Sequence, residues 1–196
     1  MSRARKRAEA TAVSGAPSTE STLSEPVLAG IGLGGNEGTP ERTLTTATER
    51  LQSIPHTRIT ACSPTYWTPP WGADGPQPDY LNGVVLVQTQ LAPAALLLAL
   101  QVIENDLGRV RGITRYGART LDLDVLFYGQ TIIDEADLTV PHPRLHERGF
   151  VLVPLNDVAP ELELPGLDRV DHLLEALDPG ELDGIRAAGV ELMPQA

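Results

Sequence analysis

Two aspartates close together in the chain could do metal-dependent chemistry. Asp122 and Asp124 are two positions apart in an apolar stretch, and residues two apart on a strand share a face. Two neighbouring carboxylates repel each other unless a cation or a proton lies between them. Such a pair of hard oxygen ligands suits Mg²⁺, which takes its other ligands from water and substrate phosphates. The alternative for these two residues alone is an amphipathic strand with a solvated acidic face.

The segment just before the aspartates favours the metal interpretation. It holds four arginines within eleven positions: Arg109, Arg111, Arg115 and Arg119. Guanidinium groups bind phosphate oxygens in a bidentate manner and stay charged. Phosphate-binding cations beside a carboxylate pair for Mg²⁺ are the two halves of a phosphoryl-transfer site. The glycines at 112 and 117 would let the loop close over a nucleotide. A solvated basic loop that makes surface ion pairs is the alternative.

The composition limits the partners. The 196-residue chain has a net charge of −11, and after residue 26 it carries eleven arginines and no lysine. An acidic chain is a poor general binder of nucleic acid, which requires broad positive charge. The longest apolar run, 91–100, is too short to cross a bilayer. Cys62 is the only cysteine, so we expect no internal disulfide and a reducing, cytoplasmic location.

Further candidate residues lie outside the arginine and aspartate block. Tyr80 and Asn82 follow a Pro-rich loop and pair an aromatic face with an amide, which suits a flat heterocycle; Tyr80 in the core is equally compatible. Gly30, Gly32 and Gly35 match G-x-G-x-x-G after a strand. The acidic residue that a dinucleotide site needs about twenty positions further on is missing, so we interpret these glycines as a tight strand-to-helix turn.

The elements that must position these residues are predicted from periodicity. We expect strands over 27–33, 57–66, 81–91 and 120–128, and a short hairpin partner over 131–133. One helix should start at Pro40 with Thr39 as its N-cap, and a second should run from Pro93 to a stop at Gly108. Residues 68–79 and 109–119 read as loops.

The predicted order β-α-β, loop, β-α, loop, β favours an α+β fold. We expect a ferredoxin-like, mainly antiparallel sheet flanked by helices. Residues 1–26 are polar and lack a hydrophobic period, which predicts a disordered tail. Residues 27–196 are expected to form a single domain, to which 150–196 add short helices.

Six blocks of residues resemble one known family. They occur in the order Gly34-Gly35-Asn36, Thr68-Pro69-Pro70, Gln77-Pro78-Asp79-Tyr80-Leu81-Asn82, Gly108-Arg109-Val110-Arg111, Arg115-Tyr116-Gly117-Ala118-Arg119-Thr120-Leu121-Asp122-Leu123-Asp124, and Val140-Pro141-His142 with Arg148-Gly149-Phe150. This pattern resembles the 6-hydroxymethyl-7,8-dihydropterin pyrophosphokinases of folate biosynthesis, over residues 27–165. The family transfers the β,γ-pyrophosphoryl group of ATP to the pterin hydroxymethyl oxygen and releases AMP.

The resemblance implies a role for each matched residue. Asp122 and Asp124 would hold two Mg²⁺ ions, and with Arg109 and Arg119 they would form the catalytic set. The residues implied for ATP are Glu104, Arg109, Arg111, Arg115, Tyr116, Arg119, His142 and Arg148. The residues implied for the pterin are Thr68, Pro69, Trp71, Tyr80, Asn82, Asp122 and Phe150, with Tyr80 and Phe150 sandwiching the ring. Trp71 stands where the family commonly has a smaller apolar residue.

The resemblance also sets the expected partners and leaves two other classes of protein open. We expect a monomer that binds small-molecule substrates and neither nucleic acid nor a membrane. A non-catalytic ligand-binding module would explain the arginine loop but not the paired aspartates. A dinucleotide oxidoreductase would leave the arginine and aspartate block unused.

Overall fold

The computed structural model describes residues 25–72, 75–109 and 117–192. The predicted tail therefore lies, up to residue 24, outside the described residues. The strands are β1 (Val27–Gly35), β2 (Thr57–Cys62), β3 (Tyr66–Thr68), β4 (Tyr80–Thr89), β5 (Asp122–Tyr128), β6 (Ile133–Asp134), β7 (Thr139–Val140) and β8 (Arg186–Ala187). The α-helices are α1 (Pro40–Gln52), α2 (Pro93–Asp106), α3 (Gly149–Val158) and α4 (Val170–Glu175), and two short 3-10 helices cover Leu145–Glu147 and Pro179–Leu182.

The main sheet is antiparallel throughout its described pairs. Its strand order is β5-β1-β4-β3-β8, and β2 also pairs with β4. The central strands are β1 and β4, which pair over nine residues from Val27↔Thr89 to Gly35↔Leu81. The predicted α+β class with a mainly antiparallel sheet and flanking helices is therefore confirmed.

Helices cover both faces of the sheet, which explains why β4 is a nearly continuous buried run. On one face α1 and α2 bury their apolar stripes, including Leu44 and Leu100, against Val85. On the other face α3 and α4 pack against Leu86 and Phe127. None of the helices in the described part of the chain is long and apolar enough to cross a membrane.

The glycines of β1 keep one face of that strand free of side chains. A Cβ on Gly30 would lie 2.3 Å from the Phe127 ring, and one on Gly34 would lie 2.5 Å from the Asn82 Oδ1 atom. Gly32 lies between them on the same face, under Leu126. The prediction that these glycines form a strand-to-helix turn was wrong for Gly30 and Gly32, because they lie inside β1 and let neighbouring side chains cross it.

Two other expectations about the elements were wrong, and a third was right in position only. The strand predicted over 57–66 is divided into β2 and β3 by residues 63–65, and β2 has a register shift between Ile59 and Ala61. The predicted hairpin partner 131–133 does not pair with β5; instead β6 pairs with β7 in a separate two-stranded sheet. Thr39 precedes α1 as predicted, but its side chain makes no capping hydrogen bond.

The glycine face of β1 gives a test of stability. We expect Gly30→Ala to lower the free energy of unfolding by about 1–3 kcal/mol, because the added methyl overlaps a buried aromatic ring. Urea denaturation measures the loss. Gly75→Ala is the matched control, since a Cβ there meets nothing within 4 Å.

The same test has an internal check. In a Phe127→Leu background the ring is gone, so Gly30→Ala should cost less than it does in the unaltered protein. An equal cost in both backgrounds would show that the ring does not impose glycine at this position.

Candidate active site

A cleft of about 690 Å³ opens at the ends of β1, β4 and β5. Its floor includes Gly32 and Gly34, so the cleft exists partly because β1 carries no side chains there. Many residues singled out from the sequence line it: Thr68, Pro69, Trp71, Tyr80, Asn82, Arg109, Arg119, Asp122, Asp124, His142, Arg148 and Phe150. Segments far apart in the chain thus meet in one site.

The paired aspartates lie on β5 with the predicted alternation. Leu121, Leu123 and Val125 are buried, while Asp122 and Asp124 are only partly buried and line the cleft. The strand has this pattern because its apolar residues pack under α2 and its carboxylates point the other way. The prediction that both aspartates share one face is confirmed.

Two arginines hold Asp122. Arg109 Nη1 lies 2.7 Å from Asp122 Oδ1, and Arg119 Nη1 contacts Asp122 Oδ2. Each carboxylate oxygen therefore has its own guanidinium partner. These ion pairs are half-buried, so solvent screens them less than it screens a surface pair.

Glu104 is a buried carboxylate behind this pair. It lies on the apolar face of α2, four residues after Leu100, and is 2% exposed. One of its oxygens, Oε1, accepts the Leu123 N–H at 2.7 Å and also contacts Arg109. Burial raises the pKa of Glu104, although the Leu123 N–H and Arg109 oppose that shift.

The position of Glu104 differs from the expected contact with ATP. Glu104 does not line the cleft, and within the described residues its carboxylate reaches Arg109 rather than open space. Its spacing from Leu96 and Leu100 would have predicted burial, because residues four apart share a helix face.

Asn36 fixes the end of the arginine loop, a role that the sequence did not reveal. Its side-chain Oδ1 accepts the Arg119 N–H at 2.9 Å, and its own N–H donates to the Arg119 carbonyl at 2.9 Å. The Asn36 Nδ2 donates to the Pro78 carbonyl at 3.0 Å. Asn36 therefore ties Arg119 to the loop that precedes β4. Its place directly after β1 and its membership in the first block of the family resemblance were the available signals.

Asp124 has the properties of a carboxylate that favours a nearby cation. Burial, followed by the charge of Asp122, raises the pKa of Asp124 well above its ordinary value. Within the described residues, no three His, Cys, Asp or Glu side chains gather as a metal site. Two carboxylates beside a cleft fit Mg²⁺, because this ion commonly binds one or two carboxylates and completes its shell with water and phosphate oxygens.

The same cleft is also lined by aromatic and amide side chains. The rings of Tyr80 and Phe150 both line it. Tyr80 donates its hydroxyl to the Gly117 carbonyl at 2.9 Å, which fixes that ring. The buried Asn82 donates from Nδ2 to Thr68 Oγ1 at 2.6 Å, so its amide is held on the cleft floor.

His142 is a neutral hydrogen-bond donor at the cleft wall. Burial, followed by the charge of Arg148, lowers the pKa of His142 to about 4. Its Nδ1 accepts the Arg144 N–H at 3.2 Å, so the proton of the neutral ring is on Nε2. The ring can therefore donate to an anion at neutral pH without carrying a charge.

Three predicted residues, Arg111, Arg115 and Tyr116, lie outside the described residues. Other lining residues were not predicted. Glu37 follows Asn36 at the cleft edge, and Val84, Leu126 and Val151 contribute apolar surface. Their sequence positions gave only a signal for burial or for a loop.

An α+β fold with a cleft lined by carboxylates and arginines is a suitable setting for phosphoryl transfer. The model of the 7,8-dihydro-6-hydroxymethylpterin-pyrophosphokinase family matches residues 30–160, which is more than half of the chain. The chain belongs to this family.

Two curated relatives agree with the family model. The 2-amino-4-hydroxy-6-hydroxymethyldihydropteridine pyrophosphokinase of Pseudomonas aeruginosa is 45% identical over 147 residues, which cover 74% of this chain and 89% of the relative. The Haemophilus influenzae protein of the same name is 42% identical over 149 residues, covering 76% and 92%.

The fold is also similar to solved structures. One is the wild-type HPPK-DHPS of Plasmodium falciparum, with a TM-score of 0.60 and 16% identity. The match covers 78% of this chain and 45% of the solved chain, so this chain spans less than half of that protein. At this identity the likeness shows the fold alone.

Glu104 gives a prediction for the buried charge. We expect Glu104→Leu to lower the free energy of unfolding by about 2–3 kcal/mol, because the buried Leu123 N–H loses its acceptor and Arg109 loses one of its two carboxylate partners. Glu104→Gln should cost less, since its amide oxygen can still accept from Leu123. Chemical denaturation measures both.

An exposed carboxylate on the same helix is the control. Asp106 pairs with Arg50 at 3.9 Å and is more than half exposed, so Asp106→Asn should change stability by less than about 0.5 kcal/mol. Equal effects of Glu104→Leu and Asp106→Asn would contradict the role given to the buried carboxylate.

Proposed function

We propose that the chain transfers the β,γ-pyrophosphoryl group of ATP to the hydroxymethyl oxygen of 6-hydroxymethyl-7,8-dihydropterin, releasing AMP, in folate biosynthesis. The pyrophosphokinase names of relatives at 42–45% identity support it, as does a relative from Pneumocystis carinii named a folic acid synthesis protein. The observation that carries the proposal is one cleft lined both by an acid and arginine cluster and by aromatic and amide side chains.

The pterin would lie against the aromatic and amide side chains of the cleft. Tyr80 and Phe150 are the proposed stacking partners of the ring. The Asn82 amide and the backbone from Thr68 through Pro69 to Trp71 would hydrogen-bond its edge, with Asp122 at the side nearest the phosphates. An amide both donates and accepts hydrogen bonds, which matches the mixed edge of such a heterocycle.

The triphosphate would lie against the arginine and aspartate side chains of the cleft. Arg109, Arg119 and Arg148 are the proposed contacts for the phosphate oxygens, and the Nε2–H of His142 is a further donor. Arg111, Arg115 and Tyr116 are proposed to join them from the arginine loop. Glu104 would act on ATP indirectly, by holding Arg109 in place.

The carboxylates of Asp122 and Asp124 fit two Mg²⁺ ions. When bound, the ions would supply positive charge that offsets the negative charge developing on the phosphates during transfer. Two carboxylates with cleft space before them leave positions open for phosphate oxygens, as this chemistry requires.

Substrate binding would then exchange charge partners. Without ligands, Arg109 and Arg119 neutralise Asp122. With ATP and metal bound, the arginines would turn to phosphate oxygens and the aspartates to the cations. Both sets of charges keep opposite partners, so neither is left unpaired in the half-buried cleft.

The transfer itself needs alignment more than covalent chemistry. The pterin hydroxymethyl oxygen attacks the β-phosphorus, the bond from that phosphorus to the oxygen bridging the α-phosphate breaks, and AMP leaves with this oxygen. The hydroxyl proton is lost to solvent or a phosphate oxygen. A loose transition state of this kind depends mainly on positioning and on stabilisation of charge.

We also propose the remaining features of the molecule. The core order β5-β1-β4-β2 with α1 and α2 on one face supports a ferredoxin-like assignment. The two hydrophobic clusters share β4, which supports one domain over 27–196. We propose a monomer acting in the cytoplasm on small molecules.

Product analysis tests the reaction. Incubation of the protein with ATP, Mg²⁺ and the hydroxymethyl dihydropterin should give AMP and the pterin diphosphate in equal amounts. The variant Asp124→Asn is the control and should lose turnover by about 10²–10³-fold, because a charge aimed at the transition state is removed.

Two outcomes would contradict this function. ADP as the nucleotide product would mean transfer of a single phosphoryl group. Mg²⁺-dependent binding of ATP without turnover would favour the non-catalytic binding module. Chromatography of the nucleotides distinguishes these outcomes.

A further inference from the structure

The segment after α4 reaches back to the cleft. We call residues 177–192 the C-terminal strap; it lies beyond the region matched by the family model. Within the strap, the Glu181 Oε2 accepts a hydrogen bond from the Trp71 Nε1 at 2.9 Å. The indole is therefore fixed at its polar edge by a carboxylate 110 positions further along the chain.

The ring of Trp71 in turn packs against an arginine that lines the cleft. The guanidinium carbon of Arg148 lies 5.0 Å from the centroid of the Trp71 ring and 5.4 Å from that of Phe150. Arg144 lies 5.4 Å from the same indole. Guanidinium groups at such distances are attracted to the ring face, and Arg148 also lines the cleft.

The strap holds Glu181 at a fixed place beside Arg148. The backbone of α3 starts at Gly149, and a Cβ there would lie 2.2 Å from the Glu181 carbonyl oxygen. The strap therefore passes directly over the residue that follows Arg148. Strand β8 pairs with β3 and Leu192 is 1% exposed, so the strap is anchored after this crossing as well.

We propose that Glu181 is a positioning residue for Arg148 and acts through the indole of Trp71. The proposal rests on the function given above, in which Arg148 contacts the transferred phosphates. The carboxylate fixes the indole, and the indole fixes the plane of the guanidinium before substrate arrives. The long arginine side chain then loses less conformational entropy when substrate binds, and its charge already points toward the phosphates.

Steady-state kinetics test this role. Glu181→Leu should lower kcat about tenfold with little change in either KM. Without the carboxylate the indole no longer holds the Arg148 guanidinium in place, and the loss in the transition state should equal about one arginine–ring contact. Glu181→Gln keeps an acceptor for the indole N–H and should stay near the unaltered rate. The exposed Glu175 on α4 supplies the matched control, Glu175→Leu, which should leave the rate unchanged.

A double variant separates positioning from general support of the fold. If Glu181 acts through Arg148, adding Glu181→Leu to Arg148→Ala should lower kcat little further. A tenfold loss in both backgrounds would overturn the proposal. Equal losses in Glu181→Gln and Glu181→Leu would also overturn it, because the acceptor would then not matter.

Hydrogen exchange gives a readout that does not require turnover. The Arg148 Nε is buried, so its proton should exchange slowly with solvent in NMR spectra. Glu181→Leu should accelerate that exchange, whereas Glu181→Gln and Glu175→Leu should not. Unchanged exchange in Glu181→Leu would contradict the positioning role even in an active enzyme. Acceleration in a protein without AMP production would instead refute only the proposed function.

Discussion

The ionic side chains of the cleft depend on a series of ion pairs of alternating sign that begins with the buried Glu104. This carboxylate orients Arg109, and Arg109 and Arg119 together hold Asp122. Because every charge in this series has a partner of opposite sign, these half-buried side chains can remain ionised at a moderate cost in desolvation free energy. Under the proposed function, triphosphate and metal would replace these internal partners.

The cleft itself depends on glycines, which have no side chains to fill it. Gly32 and Gly34 leave the face of β1 bare beneath it, while helices cover the rest of the sheet on both sides. Loops from distant parts of the chain then close around the bare face. Asn36 joins two of these loops by binding Arg119 and Pro78, and Glu181 fixes a third through Trp71. A rigid sheet thus supports a site whose walls are loops.

Features that depend on residues close together in the chain were predictable from the sequence, whereas contacts between residues far apart in the chain were not. The strands β1, β4 and β5 are long apolar runs, and the shared face of Asp122 and Asp124 follows from the two-residue period of a strand. Strand β8 is two exposed residues with no such pattern. The partners of Asn36 lie 42 and 83 positions away, and the partner of Glu181 lies 110 positions away. Only the tertiary fold brings such distant residues together. The glycines of β1 were misinterpreted as a turn because their role is to let neighbouring side chains pack closely against the strand.

The exchange of charge partners is tested most directly by calorimetry of a non-hydrolysable ATP analogue with and without Mg²⁺. Metal and nucleotide should each bind weakly alone, because each would leave arginines or aspartates without a partner. Together they should bind at least about tenfold more tightly, a coupling of ~1.4 kcal/mol, and Asp124→Asn should remove the gain. Equal affinity for the analogue in the presence and absence of Mg²⁺ would contradict the account.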